Sequence, residues 1–568
     1  MAVEKLIVDH IDTWTTALQT RSTAGRGSSG KIDLYGIKKL RELILELAVR
    51  GKLVPQDPND EPASVLLERI AAEKAEMVKQ GKIKKPKPLP EISEEEKPFE
   101  LPVGWEWVRF GSIYEMEYGN NLPQEKRSNS GEYNVYGSNG IVGTHNEACI
   151  KSPCIVIGRK GSAGALNLSD QAACWVTDVA YSTIPPSAMD LEFVFIQFHT
   201  LGLDTLGKGI KPGLNRNDAY NLTIAIPPQS EQKAIVSKVN ELMTLCDQLE
   251  QHSLTSLDAH QQLVETLLTT LTDSQNADEL AENWARISEH FDTLFTTEAS
   301  IDALKQTILQ LAVMGKLVPQ DPNDEPASEL LKRIVQEKAQ LVKDGKIKKQ
   351  KPLPPVSDKE KPFELPEGWV WCRLGELALK SEAGWSPQCE NTPRSGEQWG
   401  VLKISAVTWG EYQPEENKAL PAHLSPREEY EVKENNFLIS RANTAELVAR
   451  SVVVPENTPN NLMLSDKIIR FEFSSFVSAH YISIVNNSLF SREYYKEVAG
   501  GTSSSMKNVS RNQVSELLIG LPGYNEQLKI VENITKYIQI CEALTSKIKS
   551  AQKTQLHLAD ALTDAVIN

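Results

Sequence analysis

Fourteen consecutive residues, GKLVPQDPNDEPAS, occur twice letter for letter in this chain, once from Gly51 and again from Gly315. The likeness runs on through a helix-like segment, a Lys-rich patch and a Pro-rich strap, to GWEWVRFG ending at Gly111 and GWVWCRLG ending at Gly375. About three-quarters of the positions in that span are identical. An internal repeat limits the architecture before any local pattern does, and a spacing of 264 residues is far too long for a solenoid. The chain is a duplicated protein with two large halves.

Corresponding residues drift apart between the repeats without changing order. Trp105 and Trp369 are offset by 264, Arg159 and Arg441 by 282, Asp178 and Asp466 by 288, and Arg216 and Arg511 by 295. Collinear drift predicts two domains of one fold with different loop lengths. Short β-branched runs (Cys154 to Ile157, Val401 to Ile404, Phe437 to Ile439, Lys467 to Phe473) read as strands between Gly, Asn and Ser turns, with helices such as Leu191 to Leu201 among them. The fold class read from this is α+β: two mixed domains joined by long helices that form an antiparallel coiled-coil stalk, with pseudo-two-fold character. The boundaries fall at 1–104 (helical region and strap), 105–227 (first variable domain), 228–366 (long helix, repeat and strap), 367–522 (second variable domain) and 523–568 (long helix).

Residues 1 to about 35 carry an amphipathic helical pattern and a Gly/Ser-rich break at STAGRGSSGK. Ile37 to Ala48 has helical spacing, stopped by Gly51. Ser64 and Ser328 are positioned to cap the helices that follow the identical stretch. Pro227 and Pro522 end a strand, and Glu231-Gln232 and Glu526-Gln527 then open long helices. A heptad seam is predicted through Ile530, Ile534, Tyr537, Cys541, Leu544, Ile548, Ala551, Gln555, Leu558 and Leu562. In the first copy it runs through Ile235, Val239, Leu242, Cys246 and Leu249, then the polar Ser253, Ser256 and His260, to Leu263 and Leu267.

Catalytic motifs are missing. The sequence has no GxxxxGK[ST] loop, HExxH, GxSxG or Asn/Asp-Pro-Pro-aromatic tetrapeptide. Glu431-Val432-Lys433 has the ExK form but no acidic partner upstream. The seven cysteines include no CxxC pair and no His/Cys group at zinc spacing, so no metal site and no disulfide framework is expected, only reduced thiols in a cytoplasmic protein. No apolar run approaches the roughly 20 residues that span a bilayer.

Cations and amides do recur at matching places. Arg159, Lys160 and Ser162 lie in the Gly-rich stretch Gly158 to Gly164, opposite Arg441, Asn443 and Thr444; Lys208, Lys211, Asn215 and Arg216 stand opposite Lys507, Asn508 and Arg511. Arg and Asn can make bidentate contacts to guanine and adenine edges, and Lys and Ser reach phosphate. These thirteen residues are the candidate DNA contacts. A net charge of −15 argues the other way, since a nucleic-acid binder is expected to carry a basic footprint.

The order of variable domain, PPQSEQKAIV-headed helix, repeated helical segment, second variable domain and second EQ-headed helix resembles the specificity subunit of type I restriction-modification systems. The resemblance covers essentially the whole chain. It implies a non-catalytic subunit whose two target-recognition domains each read one half of a split site in double-stranded DNA. It also implies two methyltransferase subunits carrying S-adenosylmethionine, docked on the helices, and two ATP- and Mg-dependent translocase/nuclease subunits. No cofactor is expected on this chain. The competing readings are a single-chain nuclease or methyltransferase, which lacks its motifs, and a coiled-coil protein-interaction scaffold, which suits the acidic charge.

Overall fold

The computed structural model describes residues 3–21, 31–81, 83, 88–207, 213–408, 410–503 and 506–567. The Gly/Ser break and most of the first Lys-rich patch lie outside them. The chain divides into two compact units: the described residues of Met1–Ala24, Ser28–Ser256 and Ala551–Asn568 form one, and Leu257–Ser550 the other.

In the first unit, strands run antiparallel in the order Glu117–Tyr118, Ala180–Thr183, Cys154–Gly158, Leu166–Ser169. Beside them, Tyr133–Gly137 pairs antiparallel with Gly140–His145 and parallel with Trp175–Val176. In the second unit the same order recurs in Ala378–Ala383, Ile468–Phe473, Phe437–Ser440 and Ser451–Val453. There Gly400–Leu402 pairs antiparallel with Asn417–Ala419 and parallel with Leu462–Met463. Each variable segment begins and ends on one ladder, Glu106–Arg109 with Thr223–Ile226 and Val370–Arg373 with Leu518–Leu521. Pro227 and Pro522 follow the last residue of these strands, where a missing N–H ends the pairing.

The identical stretch acts through named contacts. Gly51 and Gly315 follow helices Tyr35–Val49 and Glu298–Val313 with φ of 66° and 70°, and the next amides, Lys52 and Lys316, bond back to Leu47 and Leu311. This is a Schellman stop that glycine favours. A Cβ on Gly51 would also meet Pro102 at 2.4 Å, and one on Gly315 would meet Pro366 at 2.5 Å. Gln56 Nε2 donates to the Gly51 carbonyl and to Glu231, and Gln320 Nε2 repeats both bonds with Gly315 and Glu526. Trp105 Nε1 donates to Glu231 at 2.8 Å, and Trp369 Nε1 to Glu526 at 3.0 Å. Burial pushes both carboxyls above the usual glutamate range, against those same hydrogen bonds.

The neighbouring Ser64 and Ser328 do not cap. The helices Ala63–Lys79 and Ala327–Lys343 are preceded by Pro62 and Pro326, without a side-chain cap bond. Their first amides donate to the Gly104 and Gly368 carbonyls at 2.8 and 2.9 Å, so each helix starts one residue before the serine, with its first open amide satisfied by backbone.

Lys52 and Lys316 close helix ends. In the first unit Lys52 Nζ donates to the Ile567 carbonyl at 3.0 Å, in the last turn of Tyr524–Ile567. In the second, Lys316 Nζ donates to Thr272 and Ser274 carbonyls at 2.7 and 2.9 Å, where Gln229–Asp273 ends. A cation at a helix C-terminus satisfies open carbonyls and favours the dipole by about 0.3–1 kcal/mol, up to ~2 when partly buried. Lys316→Met is expected to cost about 1 kcal/mol and to speed amide exchange in the last turn before Ser274. Hydrogen-exchange mass spectrometry reads it, and unchanged protection there would exclude the capping role.

The two long helices, 45 and 44 residues, depart from the predicted seam at one shared place. Burial follows the heptad through Ile235, Val239, Leu242, Cys246 and Ser253, then moves to Val264, Leu268 and Leu271, while Leu263 and Ser256 are exposed. In the second helix it follows Ile530, Ile534, Cys541 and half-buried Ile548, then moves to Ala559 and Thr563, while Ala551 and Leu558 are exposed. Tyr537 is exposed as well. A four-residue step in place of three, Ser253 to Leu257 and Ile548 to Gln552, is a stutter that unwinds a supercoil locally. It falls beside the boundary between the units in both helices.

Around these helices the repeated segment is the hub. In the first unit Tyr35 donates to Asp560, and Arg41 reaches Asp247 and Glu250, each at 2.7 Å. In the second, Ile301, Leu304, Ile308 and Leu311 share one core with Val264, Leu268, Ile530 and Ile534.

Candidate nucleic-acid interface

The variable domains hold their candidate residues by matching backbone bonds. Arg159 donates its amide to Val179, and its carbonyl accepts from Leu214; Arg441 donates to Lys467, and its carbonyl accepts from Val509. Each Arg therefore sits in a loop fixed on both sides. The next position is bridged too, Lys160 to Gly213 and, in the second domain, Ala442 to Asn508. In this way the fold brings Arg159 to Ser162 beside Asn215 and Arg216, and Arg441 to Thr444 beside Lys507, Asn508 and Arg511.

The glycines of GRKGSAG serve the protein's own backbone. A Cβ on Gly158 would meet the Ser162 carbonyl at 2.0 Å, and one on Gly164 the Asp204 amide at 2.2 Å. Only Gly161, with φ of 84° and Ser138 Oγ as its nearest neighbour at 3.8 Å, leaves open space.

Arg159 Nη1 donates to the Asp178 carbonyl at 2.9 Å, and its guanidinium carbon lies 4.7 Å from the centroid of Tyr118. Arg216 Nη1 donates to the Met116 carbonyl, and its guanidinium lies 4.8 Å from the same ring, with Glu115 at 3.8 Å. Two cations separated by more than fifty residues thus converge on one half-exposed tyrosine. Arg511 Nη1 makes the corresponding bond to Ser381, and Arg441 is exposed. Asn215 caps helix Arg216–Tyr220 by accepting from Asn217, so its carbonyl oxygen is committed to the fold. Asn443 donates to Thr408 and accepts from the Thr444 amide; Lys507 donates to the Gly501 carbonyl, and Asn508 is exposed in its strand. Lys208 and Lys211 lie outside the described residues.

Two groups escape sequence reasoning. Tyr118 lies in a two-residue strand with no pattern of its own. Arg427 stacks on Trp385 at 4.3 Å in the second domain, across loops whose pairing no spacing reveals. Among the described residues no group of three or more His, Cys, Asp or Glu could hold a metal ion. Glu431, of the ExK tripeptide, instead accepts the Asn461 amide at 3.0 Å. Among the same residues no helix is long and apolar enough to cross a membrane.

Below the loops a clamp repeats. Arg109, 6 % exposed, donates to the Pro90, Glu91 and Asn221 carbonyls and pairs with Glu96. Arg373 does the same with Pro354, Glu516 and Glu360. Arg109 first and the Ser93 amide next hold the Glu96 carboxyl down at about 2. For Glu360, also at about 2, the Ser357 amide comes first and Arg373 second. The strap is thereby fastened to the ladder that opens and closes each domain.

Residues 102–259 match the family model described as the type I restriction modification DNA specificity domain. The chain is 53 % identical over the full length of both proteins to the type I restriction enzyme EcoEI specificity subunit of Escherichia coli. It is 49 % identical, again over both full lengths, to the EcoAI specificity subunit of the same organism. Among solved structures, the HsdS subunit from Thermoanaerobacter tengcongensis is similar over 83 % of this chain and 98 % of that one, at 16 % identity and a TM-score of 0.37.

Proposed function

The chain belongs to the specificity subunits of type I restriction enzymes, and from that premise we propose that each of its variable domains reads one half of a split DNA sequence. The subunit is a DNA-recognition component of a restriction-modification complex and not itself the enzyme. Two methyltransferase subunits carrying S-adenosylmethionine, and two translocase/nuclease subunits using ATP and Mg, complete the complex in this reading. The observation that carries it is one topology repeated with different side chains at its tips. Arg159 and Arg216 occupy the places of Arg441 and Arg511, but the loops around them differ. Such a chain mimics a two-fold dimer while letting its half-sites differ in sequence.

The exposed part of the identical stretch supports paired docking. Pro55 to Pro62 and Pro319 to Pro326 are almost wholly exposed and identical. In the helices that follow, buried Ala63, Leu66 and Ile70 recur as Ala327, Leu330 and Ile334, whereas exposed Val65, Glu68 and Ala71 have become Glu329, Lys332 and Val335. Retention on an exposed loop beside drift on an exposed helix face fits a partner that meets both copies.

Mapping methylated adenines in a genome with and without this gene tests the function. A bipartite motif that vanishes with the gene is expected, and an unchanged methylome would exclude the reading. Within the assembled complex, Arg159→Ala and Arg441→Ala are each expected to lower methylation by 10- to 100-fold, the ~1–3 kcal/mol of a bidentate base contact, with assembly intact. If the complex bound all duplexes equally and both variants modified DNA normally, a protein-interaction scaffold would be the better description.

A further inference from the structure

Tyr118 is 51 % exposed on an edge strand, yet its ring packs against both Arg159 and Arg216, and Arg159 lies 5.9 Å from the Tyr181 ring as well. A guanidinium against an aromatic face is held by cation–π attraction and by flat packing, and it keeps most of its N–H edges available. Each of these two guanidiniums also spends one nitrogen on a carbonyl, Asp178 for Arg159 and Met116 for Arg216. The ring and the carbonyl together fix the plane of each fork. Tyr181 supports the arrangement from beneath, its ring 5.1 Å from Tyr118 and its hydroxyl donating to the Leu214 carbonyl.

The second domain has no aromatic residue at the strand position that corresponds to Tyr118. By strand register Tyr181 faces Tyr118, whereas Ile469 faces Ala383 at the corresponding position. Arg441 and Arg511 therefore have no counterpart of Tyr118 at this register position. The difference concerns the recognition tips and not the frame, because the strand order around both positions is the same.

We propose that Tyr118 is a positioning residue for DNA recognition by the first domain: it holds the Arg159 and Arg216 forks in the orientation in which they meet the bases of that half-site. This rests on the reading of the two arginines as DNA contacts. Bidentate recognition depends on the plane of the fork as well as its charge, and a fork fixed in advance loses less freedom on binding. Removal of the ring leaves both charges in place, so general attraction to phosphate persists while discrimination falls.

The test uses the assembled methyltransferase complex and a duplex carrying the site found in the genome. Tyr118→Ala is expected to lower kcat/KM for methylation about tenfold. Discrimination against single-base changes should fall similarly in the half-site read by the first domain and remain intact in the other. The salt dependence of DNA binding should stay unchanged, and Tyr118→Phe should behave as the parent. In an Arg159→Ala/Arg216→Ala background, Tyr118→Ala should have no further effect, because the ring acts through those side chains. The same tenfold loss in that background would overturn the proposal in favour of a merely structural tyrosine. A normal Tyr118→Ala complex alongside a defective Arg159→Ala complex would overturn it while leaving the arginines as contacts. Normal behaviour of Tyr118→Ala, Arg159→Ala and the Arg159→Ala/Arg216→Ala double variant would overturn the reading of the cluster itself.

Discussion

Replacing residues 105–226 with the corresponding segment of a relative that recognises a different sequence changes one half of the methylated site and leaves the other half as it was. The segment is bounded by a single ladder on which Glu106 faces Ile226 and Arg109 faces Thr223. Its ends are therefore adjacent, the geometry that lets an inserted domain be exchanged without displacing the chain around it. Part of what holds it to the frame is addressed to its backbone, and the rest runs through Trp105 and Arg109, which have equivalents in Trp369 and Arg373 of the second domain. Gln232 Oε1 accepts the Asp190 amide, Gln232 Nε2 donates to the Pro227 carbonyl, and Lys74 Nζ donates to the Ser112 carbonyl. A different sequence of the same fold presents those same groups. The second domain is held likewise, with Gln527 bonding the Ser478 amide and the Pro522 carbonyl, and Lys338 the Gly375 carbonyl. Methylated-adenine mapping of cells carrying the exchanged subunit reads the outcome. A change in both half-sites, or a complex that no longer assembles, would refute the modular arrangement.

The frame was more legible in the sequence than the tips, for physical reasons that differ by residue. The duplication, the strand-ending prolines and the two EQ-headed helices depend on local composition, which a sequence displays directly. The heptad reading holds up to Ser253 and Ile548, Tyr537 apart; beyond them Ser256, Leu263, Ala551 and Leu558 are exposed, while His260, Leu267, Gln555 and Leu562 stay half-buried. A heptad count drifts by about 20° per repeat against a straight helix, and one stutter shifts alternate seam positions after it by one residue. Ser64 has the chemistry of a cap, but the helix starts one residue before it, at Ala63, whose amide donates to the Gly104 carbonyl forty residues away, and no local rule reports that. Tyr118 was missed because its partners arrive through strand pairing, Tyr181 from one strand and Arg159 and Arg216 from two loops. The Arg109 clamp did leave a signal: an arginine two residues after the second tryptophan survives in both copies where the residues on either side of it differ. Such retention at 6 % exposure marks a buried guanidinium feeding several carbonyls.

Trp369→Ala is expected to destabilise the second unit by about 4–8 kcal/mol, and Trp105→Ala to cost the first unit a similar amount. The indoles are 8 % and 5 % exposed, and loss of a buried Trp side chain alone costs roughly 3–5 kcal/mol. The polar side adds to this. Trp369 Nε1 is one of two side-chain donors to Glu526, the other being Gln320, so the variant leaves half of a buried carboxylate unsatisfied, at about 1–3 kcal/mol. The ring also packs where Gly315 stops its helix, with Cζ2 3.1 Å from the position a Cβ would take. Against a usual total of about 5–15 kcal/mol, the loss is a large fraction, and a fall in melting temperature on the order of 10 °C is expected. Trp369→Phe separates the terms: it keeps most of the volume and loses the N–H, so it should cost only about 1–3 kcal/mol. Calorimetry of these three variants and of Trp105→Phe reads both the size and the symmetry of the effect. A Trp105→Ala loss differing from the Trp369→Ala loss by more than ~2 kcal/mol would mean that the copies do not carry equal shares of the frame. Equal losses, with the Phe variants intermediate, would tie the identity of the two stretches to one repeated lock of tryptophan, glutamate and glutamine.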